Sequence, residues 1–133
     1  MLLGEYRRRV DDAGWLCLPG GIRNALHELY APDDTTLILS MFFEGCVLCY
    51  PVVEWYKAPE RLRRMGASSM DIRDFLTSSA LCPLDTKGRL YLPRLFCEYA
   101  AIERDVLIIG LVCWLELWAP HQWKGYGGWE TGR

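Results

Sequence analysis

Only two histidines, His27 and His121, occur in the 133 residues. Neither belongs to a Ser/Cys, His and acid arrangement that the spacing supports, so no catalytic residue is assigned and no enzyme is expected. An excess of one charge is missing too. Fifteen Lys and Arg stand against 17 Asp and Glu, a formal net charge of −2, so no global field draws the chain to a polyanion. Any such site must come from local clustering, and three clusters exist: Arg7, Arg8 and Arg9; Arg61, Arg63 and Arg64; and Lys87, Arg89 and Arg94. A solvated charged face is the ordinary reading of each. Long apolar runs are absent as well. The most apolar one, residues 106–115, is about half of what a bilayer span needs and is followed by Glu116; it reads as a buried strand, with no membrane partner. Glu5 and Arg7 to Arg9 interrupt the opening Met-Leu-Leu, so no leader is expected and the mature chain is expected to begin here, in the cytoplasm.

Cysteine is not scarce. Cys17, Cys46, Cys49, Cys82, Cys97 and Cys113, without a secretory signal, read as reduced thiols used as small apolar side chains. Cys46-x-x-Cys49 falls in a predicted strand, where positions three apart face opposite sides, and no second pair or nearby histidine completes a ligand set. No metal and no cofactor are predicted. At 51% hydrophobic residues, the chain can build one compact domain or two small, closely packed halves.

An internal repeat organises it. Residues 10–19, Val-Asp-Asp-Ala-Gly-Trp-Leu-Cys-Leu-Pro, align with residues 84–93, Leu-Asp-Thr-Lys-Gly-Arg-Leu-Tyr-Leu-Pro. Further along, residues 46–51 with Trp55 match residues 114–119 with Trp123, leaving about six extra residues between helix and strand in the first half. Asp11 to Gly14 and Asp85 to Gly88 have the composition of tight turns that close hairpins, so a strand is expected after each. Asp11, Asp12 and Asp85 then serve turn amides. Pro19 and Pro93 stop those strands and open helices. Ile22, Ala25, Leu26 and Leu29 predict an amphipathic helix in the first half, and Leu95, Tyr99 and Ile102 predict its counterpart. Two apolar strands end each half, at about 37–41 with 47–50 and at 106–110 with 115–118.

Between the halves, Trp55, Leu62 and Met65 suggest one helix, restarted at Pro59, and Ile72, Phe75 and Leu76 a second, with Ser68 and Asp71 as its capping box. The Gly-rich stretch 124–133 has no helical period and is expected to be a flexible tail.

A strand-turn-strand-helix-strand-strand unit, duplicated and carrying Asp-x-x-Gly-Arg at the second turn, resembles the MraZ family. The matching pieces are residues 1–6, Asp11 to Pro19, Gly45 to Pro51 with Glu54 and Trp55, Asp85 to Pro93, and Leu115 to Trp118 with Trp123. The resemblance implies an α+β, mainly β fold: a double-split, swapped-hairpin AbrB-like β-barrel from two tandem repeats with short helices. Its parts would be a first repeat over 1–55, a helical linker over 56–76, a second repeat over 77–123 and the tail over 124–133. It also implies a nucleoid-associated regulator that binds repeated promoter boxes in double-stranded DNA before cell-division and cell-wall genes, as a ring-shaped homo-oligomer. The family's DNA contact at this turn maps onto Arg89, with Lys87, Gly88 and Asp85 beside it. In the first turn, Asp11 and Gly14 match, but Trp15 stands where the arginine would be.

Indole offers one neutral donor where guanidinium offers a charged planar fork. Trp15 is therefore a candidate subunit contact, expected to be exposed at the turn tip of a monomer. Two rival readings follow: a divergent or surface-engineered ring scaffold with reduced or lost DNA binding, and an antitoxin-like partner of a toxin. Phe42, Phe43 and the tryptophans exceed what one chain can bury, which points to oligomerisation through a heterologous interface.

Overall fold

The computed structural model describes residues 1–30 and 36–125. Chain order gives β1 (Leu2–Arg9), β2 (Trp15–Cys17), α1 (Gly20–Leu29), β3 (Thr36–Phe42), β4 (Cys46–Pro51) and the short α2 (Val52–Trp55). Then come α3 (Ala58–Arg64), α4 (Ser69–Thr77), β5 (Ala80–Pro83), β6 (Arg89–Tyr91), α5 (Arg94–Ala100), β7 (Asp105–Val112), β8 (Leu115–Trp118) and a 3-10 turn at Pro120–Gln122. Strand exceeds helix, and the class is α+β as expected.

Six strands form one antiparallel sheet in the order β1-β7-β8-β4-β3-β5, and β2 pairs with β6 in a separate two-stranded ribbon. Strands of the two repeats are thus interleaved. The expected hairpins at the Asp/Gly turns are replaced by an exchange: β2 meets β1 only at the Val10–Leu16 bridge and otherwise pairs with β6 of the other repeat, Leu16 opposite Leu90. The described strands do not close into a ring of pairings.

The central strands are buried on both faces, which explains why they read as continuous apolar runs. One face carries Leu37, Leu39, Val47, Cys49, Val106, Ile108, Leu115 and Leu117 and packs with α1, α5 and the ribbon. The other carries Phe42, Cys46, Leu48, Tyr50, Ile109 and Trp118 and packs with Leu62, Ile72 and Phe75 of α3 and α4. Cys46 and Cys49 accordingly point into different cores, as their spacing predicts. Trp55 and Trp123 both lie partly buried against the second core, as their places in the repeat require.

The local signals act where they were expected. Pro19 and Pro93 hold matching φ/ψ values, −55°/143° and −57°/143°, immediately before α1 and α5. Pro59 sits in the first turn of α3, where its missing N–H costs nothing. Ser68 Oγ accepts from Asp71 N at 3.0 Å while Asp71 Oδ2 accepts from Ser68 N at 2.9 Å, completing the capping box of α4.

The face predicted for α5 is right only at its end. Ile102 is buried as expected, but Leu95 and Tyr99 are exposed, and Phe96 and Ala100 are buried in their place. Leu29, Met65 and Leu76 are also exposed. In a helix of seven residues the 3.6 period has no room to distinguish adjacent faces, whereas the repeat register, which sets Phe96 and Ala100 against Ile22 and Leu26, does. The predicted tail falls largely outside the described residues. Among those residues, no helix is long and apolar enough to cross a membrane.

Leu16 and Leu90 are wholly buried and face each other across the ribbon. Leu90→Ala should therefore cost about 2 to 5 kcal/mol in urea unfolding. Combined with Leu16→Ala, the loss should be non-additive. A cost below about 1 kcal/mol would mean that the site has collapsed and the ribbon does not depend on this pair.

Candidate nucleic-acid interface

Each Asp/Gly turn is built the same way. Asp11 Oδ1 accepts from Ala13 N and Trp15 N, both at 2.9 Å, and Asp85 Oδ1 accepts from Lys87 N at 3.0 Å and Arg89 N at 2.7 Å. Gly14 N and Gly88 N each donate to the carbonyl of the leading Asp at 3.0 Å. Both glycines have positive φ, +95° and +75°, which makes any other residue strained there. The ribbon is antiparallel, so the two turns emerge at its opposite ends. Gly14 O accepts from Leu92 N at 2.8 Å and Gly88 O from Leu18 N at 3.5 Å, so each turn is tied to the other repeat.

The second turn carries Lys87, exposed, and Arg89, whose side chain is 32% exposed. Arg89 is not the free fork that a turn-tip arginine suggests. Its Nε donates to Asp85 Oδ2 at 2.6 Å and its guanidinium lies 4.8 Å from the centroid of the Trp15 ring. Burial alone would raise the Asp85 carboxyl, but hydrogen bonds from Arg89 and Lys87 and the adjacent guanidinium hold it below the usual carboxylate range. From the other repeat, Arg23 of α1 reaches over the turn. Its Nη1 donates to Lys87 O at 2.8 Å, and a Cβ on Gly88 would come within 2.0 Å of its Cδ. Arg23, Asn24 and His27 line a groove of about 230 Å³ together with Asp85, Thr86 and Gly88.

The first turn has the same backbone and different chemistry. Trp15 is not at an exposed tip: it opens β2, half-buried, with its ring edge-on to Tyr91 at 5.6 Å and stacked with Arg89. Asp12 is exposed and 3.7 Å from Arg104. A wider groove of about 650 Å³ opens here, lined by Asp11, Asp12, Cys97, Glu98 and Glu103 among others. Burial pushes the Cys97 thiol up, with Glu98 adding to the effect, so it is not poised as a nucleophile.

The other basic clusters are largely occupied. Arg7 and Arg9 share Asp105 at 3.9 and 3.8 Å, Arg63 and Arg64 share Glu60, and Arg61 stacks over Trp114 at 4.6 Å. Arg94 pairs with Glu98 and stands apart from Lys87 and Arg89. Cys46, Cys49 and Cys82 are buried with their thiols raised by desolvation. Among the described residues, no group of three or more His, Cys, Asp or Glu could hold a metal ion. Sequence reasoning thus located Asp85, Lys87, Gly88 and Arg89 at one end and Asp11, Gly14 and Trp15 at the other, and missed Arg23, Asn24 and His27. Their only sequence signal is a polar face on α1 at i, i+1 and i+4.

Comparison with known proteins places these turns in context. Residues 75–127, which include the second turn, match the family described as "MraZ protein, putative antitoxin-like". The chain is similar to the transcriptional regulator MraZ of Heliobacterium modesticaldum, at 31% identity over 95% of this chain and 86% of that protein. It is likewise similar to the transcriptional regulator MraZ of Caldicellulosiruptor saccharolyticus, at 32% identity over 93% and 85%. The protein of the same name from Limosilactobacillus fermentum is 30% identical over 95% and 86%.

The depressed Asp85 carboxyl sets a sign. A lowered folded-state pKa contributes stability that is present above the unfolded value of about 3.9 and is lost as the pH falls through the folded value. Asp85→Asn should therefore have a lower urea midpoint than the native chain at pH 7, and the gap should narrow at pH 3. A gap independent of pH would show that the carboxylate charge does not hold the turn.

Proposed function

Because the chain belongs to the MraZ family, we propose that it is a sequence-specific, double-stranded-DNA-binding transcriptional regulator of a cell-division and cell-wall gene cluster. It acts in the cytoplasm, associated with the nucleoid, as a ring-shaped homo-oligomer. The observation that carries this reading is the second turn: the exposed Lys87, and Arg89, whose Nε is held by Asp85, flank the buried Gly88 on a turn braced by Asp85 and Arg23, within the stretch that matches the family.

In this mechanism Lys87 supplies a mobile point charge to a phosphate, and Arg89 supplies a fixed planar donor. Asp85 takes Nε, which leaves the terminal nitrogens for a bidentate contact with a phosphate or with guanine O6 and N7. Asp85 and Gly88, like Asp11 and Gly14 at the other end, act by shaping the turn. One such turn is a weak ligand. A ring presents one from each subunit to repeated boxes at once, so avidity replaces single-site strength. Contrary to expectation, Phe42 and the described tryptophans are buried or half-buried within one chain, so the support for assembly comes from other exposed apolar side chains, among them Phe43, Leu95 and Tyr99 around one shallow groove.

The scaffold reading, in which the ring persists without DNA binding, draws on Trp15 and the carboxylates around the first turn. The two readings separate in one experiment. Arg89→Ala should weaken binding to a repeated-box duplex by about 1 to 3 kcal/mol per subunit, while Arg64→Ala, an exposed partner of Glu60, should change it little. Native mass spectrometry should show a closed oligomer in both. The reverse order of effects would move the DNA face to α3, an unbound native chain that still assembles would favour the scaffold, and monomer alone would overturn the ring.

A further inference from the structure

The two ends of the β2–β6 ribbon are copies of one backbone, which makes their side chains directly comparable. The register that sets Asp11 against Asp85, an offset of 74 residues, also sets Lys87 against Ala13 and Arg89 against Trp15. The same offset, carried into the helices, sets Arg23 against Cys97, Asn24 against Glu98 and His27 against Ala101. At five positions, a cationic or hydrogen-bonding side chain at the second-turn end faces a neutral or acidic one at the first. The helices do not reinforce their own repeat. Arg23 lies 64 residues from Lys87 in the chain, yet it covers that turn, because strand exchange carries α1 to the end of the ribbon where the second turn emerges.

We infer that each subunit reads DNA through a single composite head, in which Arg23, Asn24 and His27 of α1 complete the second turn, and that the first-turn end of the same ribbon makes no specific DNA contact. This rests on the DNA-binding reading above and goes beyond it by naming the reading residues and excluding half of an apparently duplicated site.

Arg23 is a positioning residue. Its guanidinium fixes the Lys87 carbonyl at 2.8 Å and its stem packs where any Gly88 side chain would lie, so the peptide between Lys87 and Gly88 is held from outside. Asn24 and His27 are exposed and line the groove that Asp85, Thr86 and Gly88 border. An amide there presents a donor and an acceptor that match the N6 and N7 edge of adenine, and imidazole one turn along presents a further polar contact. At about 230 Å³ the groove is smaller than the usual metabolite pocket, which suits a surface laid against a base edge. At the other end the charges are matched among themselves, Asp12 with Arg104 at 3.7 Å and Glu98 with Arg94 at 3.1 Å, with Glu103 beside them. The cations there are engaged by carboxylates, and the surface carries no net attraction for a duplex with one charge per 1.7 Å or so.

The test uses the full chain. The native protein selects duplexes from a random pool, and affinities for the selected duplex and a scrambled one are then measured across salt concentrations. Asn24→Ala and His27→Ala should each lower the selected-to-scrambled ratio by at least about fivefold. Asp12→Asn and Glu98→Gln should leave that ratio unchanged. Arg23→Ala should lower it, and Arg23→Lys, which keeps the charge but not the fork, should recover affinity for scrambled DNA without recovering the ratio. An enriched sequence bound equally well by Asn24→Ala and His27→Ala would overturn the composite head while sparing the proposed function. A lowered ratio in the first-end variants would overturn the single head. Enrichment of no sequence would overturn the DNA-binding reading itself, and the composite head with it.

Discussion

Leu16 meeting Leu90 across a three-residue ribbon is the contact on which the architecture depends. Both side chains are fully buried and each comes from a different repeat. A two-stranded ribbon is marginal by itself, so this one holds only by sitting on the core, through Leu18 and Leu92 as well. Once β2 is committed to β6, the hairpin at each Asp/Gly turn ends almost where it starts, at the bonds from Asp11 N to Trp15 O and from Asp85 N to Arg89 O, with the Val10–Leu16 bridge beside the first. The neighbouring strands follow: β1 lies beside β7 and β4 beside β8, and the two halves cannot be separated without exposing both cores.

That exchange fixes where chemistry can occur. An antiparallel ribbon sends its two turns to opposite ends, and each end is then furnished by a helix from the other repeat. The backbone of the two turns is conserved by Asp side chains capping the same amides and by glycines at positive φ. Their side chains have diverged on that common mould. Trp15 does not simply remove a cation from the first turn, because its ring stacks on Arg89 and so helps orient the arginine that remains, a contact worth about 0.5 to 1 kcal/mol at exposed sites.

Much of this was legible beforehand, and the reasons differ by element. Turns, helix starts and the capping box of α4 depend on a few residues with special geometry, Asp, Gly, Pro and Ser, and these are visible in a sequence. The split of Cys46 and Cys49 between two cores follows from the strand period alone. Pairing partners are different. A three-residue strand such as Leu16 with its neighbours contains nothing that names β6 rather than β1, since only burial against the whole sheet decides it. The site was half visible for the same reason: Lys87 and Arg89 sit inside the repeated motif, whereas Arg23 joins them only through the strand exchange. Arg89 itself was visible as a charge and not as a partner of Asp85 and Trp15, because the Trp15 contact lies across the ribbon.

Hydrogen exchange of the native assembly, followed with and without a selected duplex, tests the central claim most directly, since it reports each end of the ribbon in one measurement. The account predicts that DNA slows exchange at residues 86–89 and 23–27 and leaves residues 12–15 unchanged. Equal protection at both ends, or protection confined to residues 12–15, would contradict it.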